Sequence, residues 1–142
     1  MNEDFVSFEI AQKLKEKGFD KPCFGWYYPA EVCGFDYKTT IVFNTSEYRG
    51  CNYKDMLISH NDDKHIDAPT ISQVLKWLRE EKNIVFGISP MQEMDCDYLG
   101  WCATIYKVDD DGYGLSWQEE LYYGTYELAA LAGIEYVLDN LI

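Results

Sequence analysis

Val6, Ile10 and Leu14 stand at i, i+4 and i+8, with Phe5 and Ala11 broadening the stripe, and this spacing predicts an amphipathic helix near the N-terminus. Gly18 is the expected left-handed residue just past its end, with Phe19 placed for the hydrophobic contact of a Schellman motif. Glu3 and Asp4 at the front and Lys13, Lys15 and Lys17 at the back complement the helix dipole. A second helix is expected to start at Thr70, which forms a capping box with Gln73, and to stop near Asn83. Its apolar residues Ile71, Val74, Leu75 and Leu78 are spaced i, i+3, i+4 and i+7, with Trp77 at their flank. A third helix, capped by Thr125, carries Leu131, Ile134, Leu138 and Leu141 on the face that must pack on a sheet, with Ala130 and Val137 beside them. Gly133 inside it costs about 1 kcal/mol relative to Ala, so close approach of another backbone is expected there.

Between these helices the period changes to two. Residues 23–28 and 39–43 are aromatic or β-branched and predict two strands, paired as a hairpin. Residues 84–89 predict a short strand that ends at Pro90. In residues 99–108, Trp101, Ala103 and Ile105 fall on one face and Cys102, Thr104, Tyr106 and Val108 on the other. Asp109, Asp110, Asp111 and Gly112 make a turn, after which Tyr113, Leu115 and Trp117 alternate in a strand that extends, or bulges and resumes, through Tyr123. The polar stretch 45–67 reads as a long loop with a short helix at 53–58, and 91–97 as an acidic loop. The order is α-β-β-α-β-β-β-α. It predicts a single α+β domain over 1–142, with an antiparallel sheet of about five strands and three helices packed mainly on one face.

Composition supports one ordinary core: 142 residues, 47% of them hydrophobic, with twelve Tyr, seven Phe and four Trp. No apolar run reaches the roughly 18 residues of a membrane span, and the acidic start Met1-Asn2-Glu3-Asp4 is unlike a basic signal peptide. A soluble cytoplasmic protein with no membrane contact is expected. The five cysteines contain no CxxC pair, so they read as free thiols used for packing rather than as a zinc site.

Charge changes the picture. From residue 83 to the end, eleven carboxylates stand against Lys107 alone, which is −10 of the formal −13, and after Lys107 there are eight carboxylates and no base. The Asp109 to Asp111 run is accounted for by a turn, and Glu127 by the first turn of a helix, where the dipole favours it. Glu93, Asp95, Asp97, Glu119, Glu120, Glu135 and Asp139 have no such local cause, and they are the candidate interaction surface. A surface of this sign excludes nucleic acid as a partner and suits a basic protein.

Catalytic chemistry has little to stand on. GxSxG, GxGxxG and the P-loop are absent, and Gly112-Tyr113-Gly114 lacks both the third glycine and the following helix. Glu119 and Glu120 are neighbours in a strand and would point to opposite faces, which disqualifies them as a hydrolytic pair. Asp109 to Asp111 lacks the alternate ligands and the terminal Glu of a calcium loop. His60, Asp63 and His65, with Asp62 and Asp67 nearby, are the weak candidates for a metal site or a histidine base in the 45–67 loop, but their spacing matches no motif. No cofactor is expected. The alternative to an interaction module is a small-ligand-binding or metal-dependent enzyme domain that uses this loop.

Ala68-Pro69-Thr70 leading into Trp77-Leu78-Arg79-Glu80, the strand at 101–107, Thr125-Tyr126-Glu127 with Ala129 and Ala132-Gly133-Ile134, and Lys15-Glu16-Lys17-Gly18-Phe19 together resemble one family. It consists of short acidic proteins of uncharacterised function that recur in gut Bacteroidales genomes, often with prophage or mobile elements. The resemblance covers most of the chain outside about 32–67. It implies genomic company rather than an activity, since each of these motifs is a cap, a core stripe or a turn. Joined to the −10 charge of residues 83–142, that genomic company makes the boldest form of the basic-partner reading a mobile-element-encoded inhibitor or DNA mimic. From Ala68 onward the helix, three strands, helix order is also similar in topology to a double-stranded RNA-binding domain. The basic surface of such domains is missing, because the last helix has no Lys or Arg.

Overall fold

The computed structural model describes residues 4–27, 41–43, 65–92, 99–118 and 123–142. They form an α+β protein with three helices and two three-stranded antiparallel sheets, and the chain divides into two compact units, Met1–Thr70 and Ile71–Ile142. Periodicity predicts about five strands in one sheet; the described residues hold six in two. The added strand is only two residues long, too short for a period to register, and which strands pair is a long-range choice that local pattern does not encode.

In the N-terminal unit, helix α1 (Phe8–Glu16) buries Phe8, Ile10, Ala11 and Leu14. It starts after Val6 rather than including it, because Ser7 takes the N-cap and its Oγ accepts from the Ile10 N–H at 3.3 Å. Val6 is buried in extended chain instead, where its N–H donates to the Pro69 carbonyl at 3.1 Å and Phe5 bridges Thr70. The C-terminus closes as expected. Gly18 has φ +87°, the Phe19 N–H donates to the Leu14 carbonyl at 2.9 Å and the Gly18 N–H to the Lys15 carbonyl at 3.2 Å, the bond pair of a Schellman motif.

Strand β1 (Gly25–Tyr27) lies between β2 (Val42–Phe43) and β3 (Ile66–Asp67), antiparallel to both. The β1–β2 pair is the expected hairpin. β3 falls at the end of the stretch read as loop; the short helix expected at 53–58 lies outside the described residues. Helix α1 packs on β3, and the Phe8 ring meets Tyr27 edge-on at 5.8 Å.

The Tyr27 hydroxyl donates to the Val6 carbonyl at 2.6 Å inside this core. Burial, with the Glu9 carboxylate second, pushes its pKa up to about 12. Ionisation is therefore easier in the unfolded chain, so the bond's contribution is complete below about pH 10 and is lost as pH rises toward 12. Tyr27→Phe is expected to cost about 1–2 kcal/mol at neutral pH and to flatten the fall in stability between those pH values, measured by urea unfolding at each pH. A variant that declines in alkali as steeply as the parent would contradict this.

Cys23 is fully buried, its thiol donates to the Lys21 carbonyl at 3.3 Å, and burial, then the Asp67 carboxylate, pushes its pKa up. Cys23 and Cys102 are buried free thiols, while the other three cysteines lie outside the described residues. Mass spectrometry after brief iodoacetamide treatment should find Cys23 unmodified in native protein and alkylated in denaturant; equal labelling in both would refute the assignment.

In the C-terminal unit, helix α2 (Ile71–Glu81) begins directly after Thr70 and buries Ile71, Val74, Trp77 and Leu78. Trp77 thus belongs to the core rather than its flank, and Leu75 is half-buried. Each such burial contributes roughly 1.5–3 kcal/mol, well above the few tenths that surface charges add to a helix. Asn83 at φ 56° ends the turn, and its carbonyl accepts the Val108 N–H at 2.8 Å.

β4 (Ile84–Gln92), β5 (Leu99–Asp109) and β6 (Gly112–Gln118) form an antiparallel meander in that order. Pro90 does not end β4 but pairs with Trp101. Among the described residues β4 is an outer strand of this sheet, and there a residue without an N–H can be accommodated. β6 carries a bulge between the partners of Ile105 and Tyr106, and Tyr123 exchanges two 2.8 Å backbone bonds with Trp101, so the chain does resume pairing after the bulge.

Helix α3 (Tyr126–Asn140) is capped by Thr125, whose Oγ1 accepts from the Leu128 N–H at 3.1 Å. It packs on β5 and β4, and α2 packs on β4 and α3, so both helices share the sheet face that carries Phe86, Ala103 and Ile105. Among the described residues no helix is long and apolar enough to cross a membrane.

Candidate functional site

Two of the seven acids assigned to an interaction surface are described, Glu135 and Asp139, and both are exposed on α3 one turn apart. Glu93, Asp95, Asp97, Glu119 and Glu120 lie outside the described residues. The core side of α3 is rotated from the expected stripe: Ala129, Ala130, Gly133, Ile134, Val137 and Leu138 are buried, whereas Leu131 and Leu141 are only half-buried. The cause is size rather than hydrophobicity, because three small residues let the helix settle closer to the sheet than leucines would. A Cβ on Gly133 would stand 2.7 Å from Phe86 Cε2 and 3.3 Å from Ala103 Cβ. The close approach expected at Gly133 is therefore present, and it is made by side chains rather than by another backbone.

Three further described acids occupy the β5–β6 hairpin. Asp109, Asp110 and Asp111 are exposed, and the Asp111 N–H donates to Asp109 Oδ1 at 3.0 Å, a local turn bond. Lys107 is exposed on β5 two residues before them. On α3 itself Glu127 lies in the first turn, and the last turn has no base. Asp139 sits near the negative end of that dipole and one turn from Glu135, an arrangement that helix electrostatics does not favour. The helix dipole therefore does not account for the acidic character of these two positions.

The histidine reading can be placed only in part, since His60 and Asp63 lie outside the described residues. His65 is half-buried, its ring edge-on to Trp26 with centroids 4.4 Å apart, and its carbonyl accepts from Lys15 Nζ at 3.1 Å. Register sets Asp67 opposite Trp26, while the intervening Ile66 is buried opposite Tyr27. Trp26, His65 and Asp67 thus share one face of the small sheet. That grouping was not legible in the sequence, because it depends on β3. Among the described residues no three His, Cys, Asp or Glu side chains are grouped to hold a metal ion.

Aromatic side chains flank the acidic helix. Trp117 stacks on Tyr136 with centroids 4.6 Å apart and planes at 15°, and Trp101 meets Tyr126 edge-on at 5.7 Å. Leu128, absent from every expected site, is 51% exposed. Its signal lies in the composition of α3, which is apolar on nearly every side. Compared with protein families, curated proteins and solved structures, the chain gives no match.

Proposed function

We propose that this protein is an interaction module whose acidic C-terminal unit binds a basic protein partner. The observation that carries the reading is α3, on which Glu135 and Asp139 are exposed one turn apart, Asp139 at the end of the helix where the dipole disfavours an acid. The exposed carboxylates of the β5–β6 hairpin add to the same sign of charge. Its strongest form is an inhibitor encoded by a mobile element that mimics DNA by presenting carboxylates to a phosphate-binding groove. Membership of the Bacteroidales family that the motifs resemble, and a cytoplasmic location, belong to the same proposal. The α-β-β-β-α order shared with double-stranded RNA-binding domains then reflects architecture alone, since a carboxylate surface repels phosphates.

The test uses the whole chain immobilised against DNA-binding nucleases and restriction enzymes. Binding should weaken steeply between low and physiological salt, and reversing Glu135 and Asp139 to Lys should weaken it further. An affinity indifferent to salt and to those two reversals would sink the reading.

A further inference from the structure

Helix α3 has more apolar surface than its core requires. Opposite its buried side, Leu128, Ala132, Glu135 and Asp139 stand at i, i+4, i+7 and i+11, a row about 16 Å long at the helical rise of about 1.5 Å per residue. Leu128 is 51% exposed, Ala132 and its neighbour Leu131 are half-buried, and Glu135 and Asp139 are exposed. The outward row of a helix that serves only its own unit is normally polar throughout. Here the row is apolar over its first half and acidic over its second.

The geometry points to this row as a docking surface for a basic amphipathic helix of a protein partner. The partner's aliphatic side chains would lie on Leu128, Leu131 and Ala132, and its Lys or Arg side chains on Glu135 and Asp139. The inference rests on the acidic-module reading above and adds the partner's chemistry and the place it binds. Ala132, small and central, allows a second helix to approach to about 8–10 Å between axes. Charge complementarity selects this occupant over a second copy of the chain. A parallel copy would set Glu135 and Asp139 against their own counterparts, and an antiparallel one would set them on Leu128. Apolar contact would supply affinity that salt leaves intact, and the two carboxylates would fix the direction of the bound helix.

The experiment titrates the full chain with two fluorescein-labelled synthetic peptides and reads anisotropy. One peptide is helical, with leucines at i, i+3 and i+4 and lysines at i+7 and i+11; the other has the same composition in scrambled order. The expected result is at least about ten-fold tighter binding of the patterned peptide, lost in both Leu128→Glu and the double variant Glu135→Lys/Asp139→Lys. All three positions are exposed, and circular dichroism melts verify that the variants fold. If the two peptides bind equally, with a salt-dependent affinity that the double variant abolishes, the docking row is overturned while the acidic-module reading stands. If neither peptide binds at low salt, both are overturned. A dimer in sedimentation that Leu128→Glu dissolves would assign the row to a second copy and overturn the inference.

Discussion

Replacing Trp77 by alanine is expected to lower stability by about 3–5 kcal/mol, a large share of the roughly 5–15 kcal/mol that holds a typical protein folded. Trp77 is the largest of the fully buried side chains, at 2% exposure, and it lies on the core side of α2 with Val74 and Leu78. Its indole N–H donates to Glu81 Oε2 at 2.9 Å, and Lys82 Nζ stands 5.2 Å from the ring centroid. Truncation removes the apolar area, leaves a cavity that the surrounding helices and sheet can only partly close, and releases both charged partners. Trp77→Phe separates these contributions. It keeps most of the ring's packing but loses the indole donor, and should cost about 1–2 kcal/mol. Thermal melts followed by circular dichroism provide the readout, with a fall of roughly 10–20 °C for the alanine variant. A fall of only a degree or two would mean that the indole is not part of the core.

Gly133→Val is expected to cost about 2–4 kcal/mol, although valine forms helix better than glycine by several tenths of a kcal/mol. The deciding quantity is space. Even a Cβ at this position would stand 2.7 Å from Phe86 Cε2 and 3.3 Å from Ala103 Cβ, and valine adds two γ-carbons with a stiff χ1. Gly133→Ala isolates the first overlap. Its gain of about 1 kcal/mol in helix propensity is opposed by displacement of the Phe86 ring, and the variant should be less stable than the parent by about 1 kcal/mol. Adding Phe86→Leu should shrink that loss, which a double-mutant cycle measures as positive coupling. A Gly133→Ala variant that melts higher than the parent would show that α3 does not sit as close to β4 and β5 as described.

Some of this was legible in local pattern because its causes are local. The Schellman close of α1 depends on Gly18 and on atoms within six residues of it. The caps at Ser7 and Thr125 likewise involve donors three residues away. The Ser7 cap is the less legible of the two, since Val6 fits the apolar period of α1 and so falls inside the helix that the spacing predicts. Pro90 departs in the opposite direction: proline ends most strands, but it is tolerated in β4, an outer strand of its sheet among the described residues, and a strand's place in a sheet is a tertiary fact.

The candidate surface divides in the same way. That Glu135 and Asp139 lie one helical turn apart follows from counting, and the charge imbalance around them follows from composition. That Leu128, in the same row, is left half exposed does not. Hydrophobicity alone places Leu131 and Leu141 in the core, whereas the small residues Ala129, Ala130 and Gly133 are buried there beside Ile134, Val137 and Leu138. The grouping of Trp26 with His65 and Asp67 depends on β3, a two-residue strand whose pairing joins positions about 40 residues apart.

By itself, then, the sequence determined the three helices, the Thr125 cap, the Gly18 close of α1, the central meander, the α+β class and an acidic C-terminal half, because each arises from interactions spanning a few residues or from composition. The tertiary structure alone decided the division into two sheets, the pairing of β3, the place of Pro90 and which side of α3 faces outward. Those depend on which surfaces fit closely enough to exclude water, and fit is a property of distant residues brought together.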